Sequence, residues 1–291
     1  MPANTIEFIH RIRTIMPNLR IEHFELNQEG TLNNVVIVNQ DLVFRFAKNE
    51  AYARTLQTEI RILDFIRPRL DIHVPAPIYT SADCMVYPLL PGQPLLRKAL
   101  GSLDQNAQQR IADQLGIFLI QLHSLDTSSS PEEIPLSRAP YTQEDCTSLR
   151  NDVREKIYPL LQKDQIEWAE ELFNGVLENP EIFNFEPSFI HGDLASYHIL
   201  FDERDGKITG VFDFGMAGIG DPANDFGNLI NFYGETFLRK ISPTYPGLQN
   251  YLPRSRYYAQ TLELEWILRG LESGEAFWFT AHLGRARDIL S

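Results

Sequence analysis

Two acid-bearing stretches stand close together in the second half of the chain, "FIHGDLASYHIL" at 189–200 and "VFDFGMAGIGDPANDF" at 211–226. Asp193 and Asp213 lie twenty residues apart, and strand-like "HILF" and "ITGVF" with turn-like "DERDGK" fill the gap. A hairpin there brings the residue before its first strand close to the residue ending its second. Asp193, His198 and Asp213 are therefore predicted to converge. Magnesium takes oxygen ligands, binds through one or two carboxylates and shares its shell with substrate phosphates. One carboxylate holding the metal while another accepts a hydroxyl proton is the division of labour that phosphoryl transfer requires.

The flanking segments give this element its setting. Residues 5–16 read as a helix, with Ile6, Ile9, Ile12, Ile15 and Met16 at helical spacing. "NVVIVNQDLVFRFA" reads as a hairpin and 51–65 as a helix. "VPAPIY" leads into a further strand, and "CMVYPLLPGQPL" is a strand running into a Pro/Gly-rich connector. Beyond it the pattern turns helical, at 104–124 (capped by Asp104), 143–162 and 164–178. Strand-like pieces return at 188–191, 198–201 and 208–213, and helix from 222 onward. The predicted fold class is α+β: a small β-rich lobe over 1–90, a hinge near 86–94, and a larger, mostly helical lobe over 91–291.

A chain of 291 residues with 43% hydrophobic and 22% charged residues has the composition of a globular protein with a full core. Its net charge of −13 argues against general affinity for nucleic acid and is compatible with a cationic substrate. Cys84 and Cys146 have no CxxC spacing and fit a reducing cytosol, so a cytoplasmic location is expected. The charged N-terminus reads as no signal peptide, and no run approaches the roughly 20 apolar residues of a membrane span. A monomer without membrane or nucleic-acid partners is expected.

"HGDLASYHIL" followed by "VFDFG" and "GDPANDF" resembles the aminoglycoside phosphotransferase and choline-kinase-like superfamily, relatives of the protein kinases. The 2″-aminoglycoside branch is most similar, because its members often carry histidine at the position of His198. The resemblance covers nearly the whole chain and implies a bilobal, protein-kinase-like fold. It implies Asp193 as catalytic base, His198 and Asp213 as metal-binding residues, Asp225 as a buried brace of the catalytic loop, and His191 as loop-stabilising. Mg²⁺ and a phosphate donor, ATP or GTP, come with it.

By the same likeness the first lobe holds the nucleotide. "NQEGTLNNVVIV" stands where the phosphate-covering loop belongs, with the single glycine Gly30. Arg45 takes the place of the family's strand lysine, with Lys48 as rival. Arginine keeps the charge but is a planar fork. Glu59 matches the helix glutamate that pairs with the strand cation. Met85, Tyr87 and Leu89 match the hinge that borders the base.

A polycationic aminoglycoside needs carboxylates around the cleft, since its ammonium groups must be paired when desolvated. Glu235, Glu263, Glu265, Glu272 and Glu275 are the candidates, with Tyr233, Trp266 and Trp278 to pack on sugar rings. Two features thin the match: Met216 follows "DFG" where the branch is often acidic, and "LINFYGET" carries only Glu235. Kinases of another hydroxyl substrate (a macrolide, amino alcohol or sugar) and a nucleotide-binding pseudokinase stay open. His123 reads as a capping or packing residue. His10, His23, His73 and His282 show no metal-ligand spacing.

Overall fold

A computed structural model describes residues 3–28, 32–130 and 134–274. The chain forms two compact units. The first comprises Met1–Gly92 with Thr209–Gly215, and the second Gln93–Ile208 with Met216–Ser291. The division at Gly92 falls in the Pro/Gly-rich connector. The seven-residue return of 209–215 to the first unit is a feature that a contiguous 1–90/91–291 split lacks.

In the first unit, helix α1 (Ala3–Ile15) lies on a five-stranded antiparallel sheet. Its strands are β1 (Phe24–Asn27), β2 (Asn33–Val38), β3 (Leu42–Ala47), β4 (Tyr79–Ser81) and β5 (Cys84–Pro88), in the order β1-β2-β3-β5-β4. The core between helix and sheet contains Phe8, Ile12, Val36, Val38, Phe44, Phe46, Cys84 and Val86. Phe8 and Ile12 form the inner face of α1, whereas Ile6 is 61% exposed although it shares the apolar periodicity. The β2–β3 turn places Asn39 and Gln40 both at φ 55°, the left-handed pair that a tight two-residue hairpin uses. The Asn39 side chain is fixed there by accepting from Glu22 and His23 N–H and donating to the Arg20 carbonyl. Helix α2 (Glu50–Ile66) follows, its first turn capped by Asn49, which accepts from Tyr52 N–H.

The second unit begins with strand β6 (Gln93–Pro94) and helices α3 (Arg97–Ser102) and α4 (Gln105–His123). Asp104 caps α4 by accepting from Ala107 N–H. Helix α5 stops at Asp152 (Gln143–Asp152), short of the expected 162, and passes into a π turn at Val153–Ile157 and a 3₁₀ turn at Tyr158–Leu160. Pro159 lacks the N–H that would continue the helix. Helix α6 (Lys163–Leu177) leads to strands β7 (Ser188–Ile190) and β8 (Ile199–Asp202), the latter pairing with β6. Strand β9 (Lys207–Val211) runs across the boundary into the first unit.

Strand β10 (Gly218–Gly220) pairs antiparallel with β7. It carries no strand signal, because two glycines flank its one β-branched residue. Then come α7 (Pro222–Tyr233), α8 (Glu235–Arg239) and α9 (Leu252–Ser273). All twelve residues of α7 are buried, and it packs along α9. The contact is close: a Cβ on Gly227 would lie 2.7 Å from the Tyr258 Cβ and 3.0 Å from the Ser255 carbonyl. No described helix is long and apolar enough to cross a membrane.

Candidate active site

In the second unit the functional loop starts where β7 ends. His191 N–H and Gly192 N–H donate to the two oxygens of Asp225, at 2.9 and 2.8 Å. Gly192 has φ +77°, and a Cβ there would sit 2.7 Å from the Met216 carbonyl, so only glycine takes this turn unstrained. The next N–H, that of Asp193, donates to His191 Nδ1 at 3.2 Å, and Asp193's carbonyl accepts from Ala195 N–H at 2.8 Å. His198 Nδ1 lies 2.8 Å from the same carbonyl. A carbonyl oxygen only accepts, so Nδ1 carries a proton. The loop is thereby tied at both ends while the Asp193 side chain stays 28% exposed.

Asp225 itself is completely buried on α7. Burial pushes its carboxyl up, but the hydrogen bond and charge of His123, and those of His191, outweigh this and hold it below its ordinary value. His123 lies 3.1 Å from Asp225 through Nε2 and 2.9 Å from Tyr245 Oη through Nδ1. The packing role expected for His123 is thus joined to a polar one, and only the fold brings these residues together, 102 positions apart in sequence. Asp221 caps α7 by accepting from Ala223 N–H and takes Arg254 Nε at 2.6 Å and Tyr258 Oη at 3.1 Å.

Asp193 opens onto a cleft lined also by Gly192, Met216, Asn224, Asn228, Tyr258, Glu265, Trp266 and Arg269. Burial pushes the Glu265 carboxyl up to about 7, with the charges of Asp193 and Asp145 adding to the rise and Arg269 opposing it. The Arg269 guanidinium packs 4.9 Å from the Trp266 ring. Of the carboxylates expected to meet substrate, Glu265 lines this cleft. Glu235 is completely buried in an ion pair, held at 2.6–3.0 Å by Arg239 and Arg256. Its charge is neutralised inside the protein. Glu263 accepts from Asn231, and Glu272 pairs with Lys156 at 2.7 Å. Tyr233 is buried with its hydroxyl on the Leu95 carbonyl. Glu275 and Trp278 lie outside the described residues.

The first unit carries a second charged cluster. Arg45 on β3 is 5% exposed and donates through Nη1 to Glu59 Oε1 on α2 at 2.6 Å. Its Nη2 stands 3.6 Å from Asp213 Oδ1. Burial works against its charge, but Glu59 and Asp213 hold the guanidinium protonated. Glu59 also accepts from Phe214 N–H, so the "DFG" turn is anchored to α2. Asp213 has φ +67°, strained for a non-glycine residue. Lys48, the rival of Arg45, instead donates to the Gln28 carbonyl at 2.8 Å. Met85 pairs with Arg45, and Tyr87 with Val43, across β3 and β5; both are buried, while Leu89 is exposed. Gly30 lies outside the described residues.

The donor chemistry of the two expected metal residues differs. Asp213 presents a carboxylate that is 38% exposed, the hard oxygen donor magnesium prefers. His198 offers an imidazole nitrogen, which suits softer ions. Among the described residues no three His, Cys, Asp or Glu side chains gather into a metal site. Of the two, Asp213 has the donor chemistry that would fit magnesium.

An antiparallel sheet unit with a buried Arg–Glu pair, joined to a helical unit with an aspartate loop over a cleft, defines a protein of the kinase-like phosphotransferase class acting on hydroxyl groups. The chain belongs to the phosphotransferase enzyme family, whose profile matches residues 23–263. It is 27% identical over 224 residues to viomycin phosphotransferase of Streptomyces vinaceus, covering 73% of this chain and 75% of that protein. The GDP and kanamycin complex of APH(2″)-IIIa matches with a TM-score of 0.85 and 25% identity, over 96% of each chain. The GDP complex of wild-type aminoglycoside 2′-phosphotransferase-IIIa matches with a TM-score of 0.85 and 26% identity, again over 96% of each.

Proposed function

We propose that the protein is an antibiotic kinase that transfers the γ-phosphoryl group of ATP or GTP to a hydroxyl of an aminoglycoside. The observation that carries this reading is the Asp193 loop, clamped by buried Asp225 and opening on a cleft that holds Glu265 and Trp266. The Asp193 carboxylate orients the acceptor hydroxyl and takes its proton as that oxygen attacks the γ-phosphorus. The bond from phosphorus to the β,γ-bridging oxygen breaks, and the nucleoside diphosphate leaves with the electron pair. His198 fixes the carbonyl of Asp193, so the carboxylate is held in place before the substrate arrives. Asp213 would hold magnesium, which when bound neutralises phosphate charge. Arg45, kept charged by Glu59, is the cation for the nucleotide phosphates. Glu265 pairs with a drug ammonium group and Trp266 packs on a sugar ring.

The test is turnover of kanamycin-, gentamicin- and neomycin-class drugs with MgATP or MgGTP, scored by diphosphate release and by resistance in a susceptible host. Asp193→Asn should lower turnover by about 10²–10⁴ with nucleotide affinity nearly unchanged. Equal losses of rate and nucleotide affinity would overturn the assignment of Asp193. A second reading, a kinase of a singly charged amino alcohol, is favoured by the internal neutralisation of Glu235, which leaves Glu265 and Asp193 as the carboxylates lining the cleft. Silence across the drug panel with turnover of such an alcohol would establish it.

A further inference from the structure

Helix α7 turns two asparagines, Asn224 and Asn228, onto the wall of the cleft beside Asp193. Both are nearly buried, at 6% and 5% exposure. They form a relay of amides. Asn224 Nδ2 donates to the Pro140 carbonyl at 3.3 Å, and Asn228 Nδ2 donates to the Asn224 carbonyl at 3.1 Å and to Asn224 Oδ1 at 3.2 Å. The relay fixes which way Asn228 faces, because only its amide nitrogen can serve two acceptors. Its Oδ1 is left buried and, among the described residues, meets no donor from the protein.

A buried acceptor without a donor is rare in native structures and destabilises the fold unless something supplies the missing hydrogen. Here the atom belongs to a residue lining the cleft that holds the proposed base. We infer that Asn228 is a specificity-determining residue whose Oδ1 accepts a hydrogen bond from an ammonium or hydroxyl donor of the phosphoryl acceptor. This rests on the functional reading above and deepens it. Asn228 Oδ1 shares this wall with the carboxyl groups of Asp193 and Glu265, and Arg269 is a cation of the same lining. Such a wall selects a molecule carrying several donors around its reacting hydroxyl, an amine-bearing polyol. It rejects an apolar one, which would leave Oδ1 unmet.

The experiment compares parent, Asn228→Leu and Asn228→Asp proteins, with kanamycin as acceptor probe and thermal denaturation in parallel. Asn228→Leu removes the acceptor at similar volume and should raise the KM for kanamycin by about ten- to a hundredfold. Its kcat and the KM for nucleotide should change less than about threefold. Asn228→Asp keeps an acceptor but sets a carboxylate oxygen against the two Asn224 oxygens that Nδ2 serves, so it should recover only part of the KM for kanamycin. Without ligand, Asn228→Leu should melt below the parent, since it also deletes the two hydrogen bonds that Nδ2 donates to Asn224. If the parent turns over no amine at all, the functional reading fails, and kanamycin binding then decides this inference: an equal rise in melting temperature with the drug for parent and Asn228→Leu would overturn it. Changes for Asn228→Leu spread equally over kcat and both KM values would make Asn228 a structural residue and overturn it.

Discussion

His123 Nε2 and Asp225 Oδ2 lie 3.1 Å apart in the buried heart of the second unit, and the same Asp225 oxygen takes the N–H of His191 at 2.9 Å. One carboxylate therefore serves a side chain of α4 and the backbone of the loop that carries Asp193. Asp225→Asn keeps the shape but turns an amide N–H₂ toward a donor. It should destabilise the protein by about 3–5 kcal/mol, as expected when a buried charged partner is lost. Denaturant titration checks this, and a change below about 0.5 kcal/mol would mean that the loop holds itself.

Arg45 and Glu59 are both almost fully buried, with side-chain exposures of 6% and 1%. Glu59→Gln leaves the guanidinium charged and short of its partner, so it should destabilise the first unit by about 3–5 kcal/mol. Arg45→Met with Glu59→Gln should be less damaging than the sum of the single changes. Additivity in that double-mutant cycle would show that the pair is not coupled.

Glu265 supplies a pH dependence whose sign is set by its carboxyl, raised from 4.5 to about 7 in the folded protein by burial. The unfolded chain loses this proton first, so stability from this group is full below about pH 4.5 and falls as pH rises through about 7. Affinity for a cationic acceptor moves the opposite way, because Glu265 becomes charged over the same window. Arg269, Asp193 and Asp145 are the charged groups that act on it. The KM for kanamycin should fall about fivefold between pH 6 and 8, the difference between a neutral and a charged hydrogen bond. Glu265→Gln should flatten both profiles, and a Gln variant with the parent's pH dependence would remove Glu265 from the binding site.

Gly227→Ala inserts a Cβ 2.7 Å from that of Tyr258, between two backbones that have no room to part. It should destabilise the α7–α9 pair by about 1–3 kcal/mol. Thermal melting is the measurement, and an unchanged melting temperature would show that these helices can slide.

Much of the fold was legible because it rests on local periodicity. The β2–β3 hairpin, α2 with Glu59 among apolar neighbours, and strands bracketing "DERDGK" all follow from short-range pattern. What escaped depends on contacts distant in sequence. Glu235 reads as a cleft carboxylate for a drug ammonium group, yet Arg256, twenty-one residues on, folds back to neutralise it. The closer Arg239, at the i+4 position, was the available hint. Asn228 gives no signal in a helix that also carries Asn224, Asp225 and Asn231, since its relevance lies in which amide atom goes unmet. Strand β10 was hidden by its glycines, which are needed for tight approach: a Cβ on Gly220 would meet Ile190 at 2.7 Å. Glu265 is one of five glutamates equivalent in the sequence, and only its place in the cleft wall beside Asp193 distinguishes it.

Because residues 209–215 belong with the first unit while both their flanks belong with the second, the polypeptide changes unit after Gly92, after Ile208 and after Gly215. A gene cut at the connector would therefore yield one product with Arg45 and Glu59 but no Asp213, and another carrying a heptapeptide foreign to its own core. Neither fragment is a self-sufficient cassette. Exchange of the first unit between relatives would require two coordinated splices, so evolution is expected to change acceptor preference through point changes on α7 and α9 more readily than by swapping units.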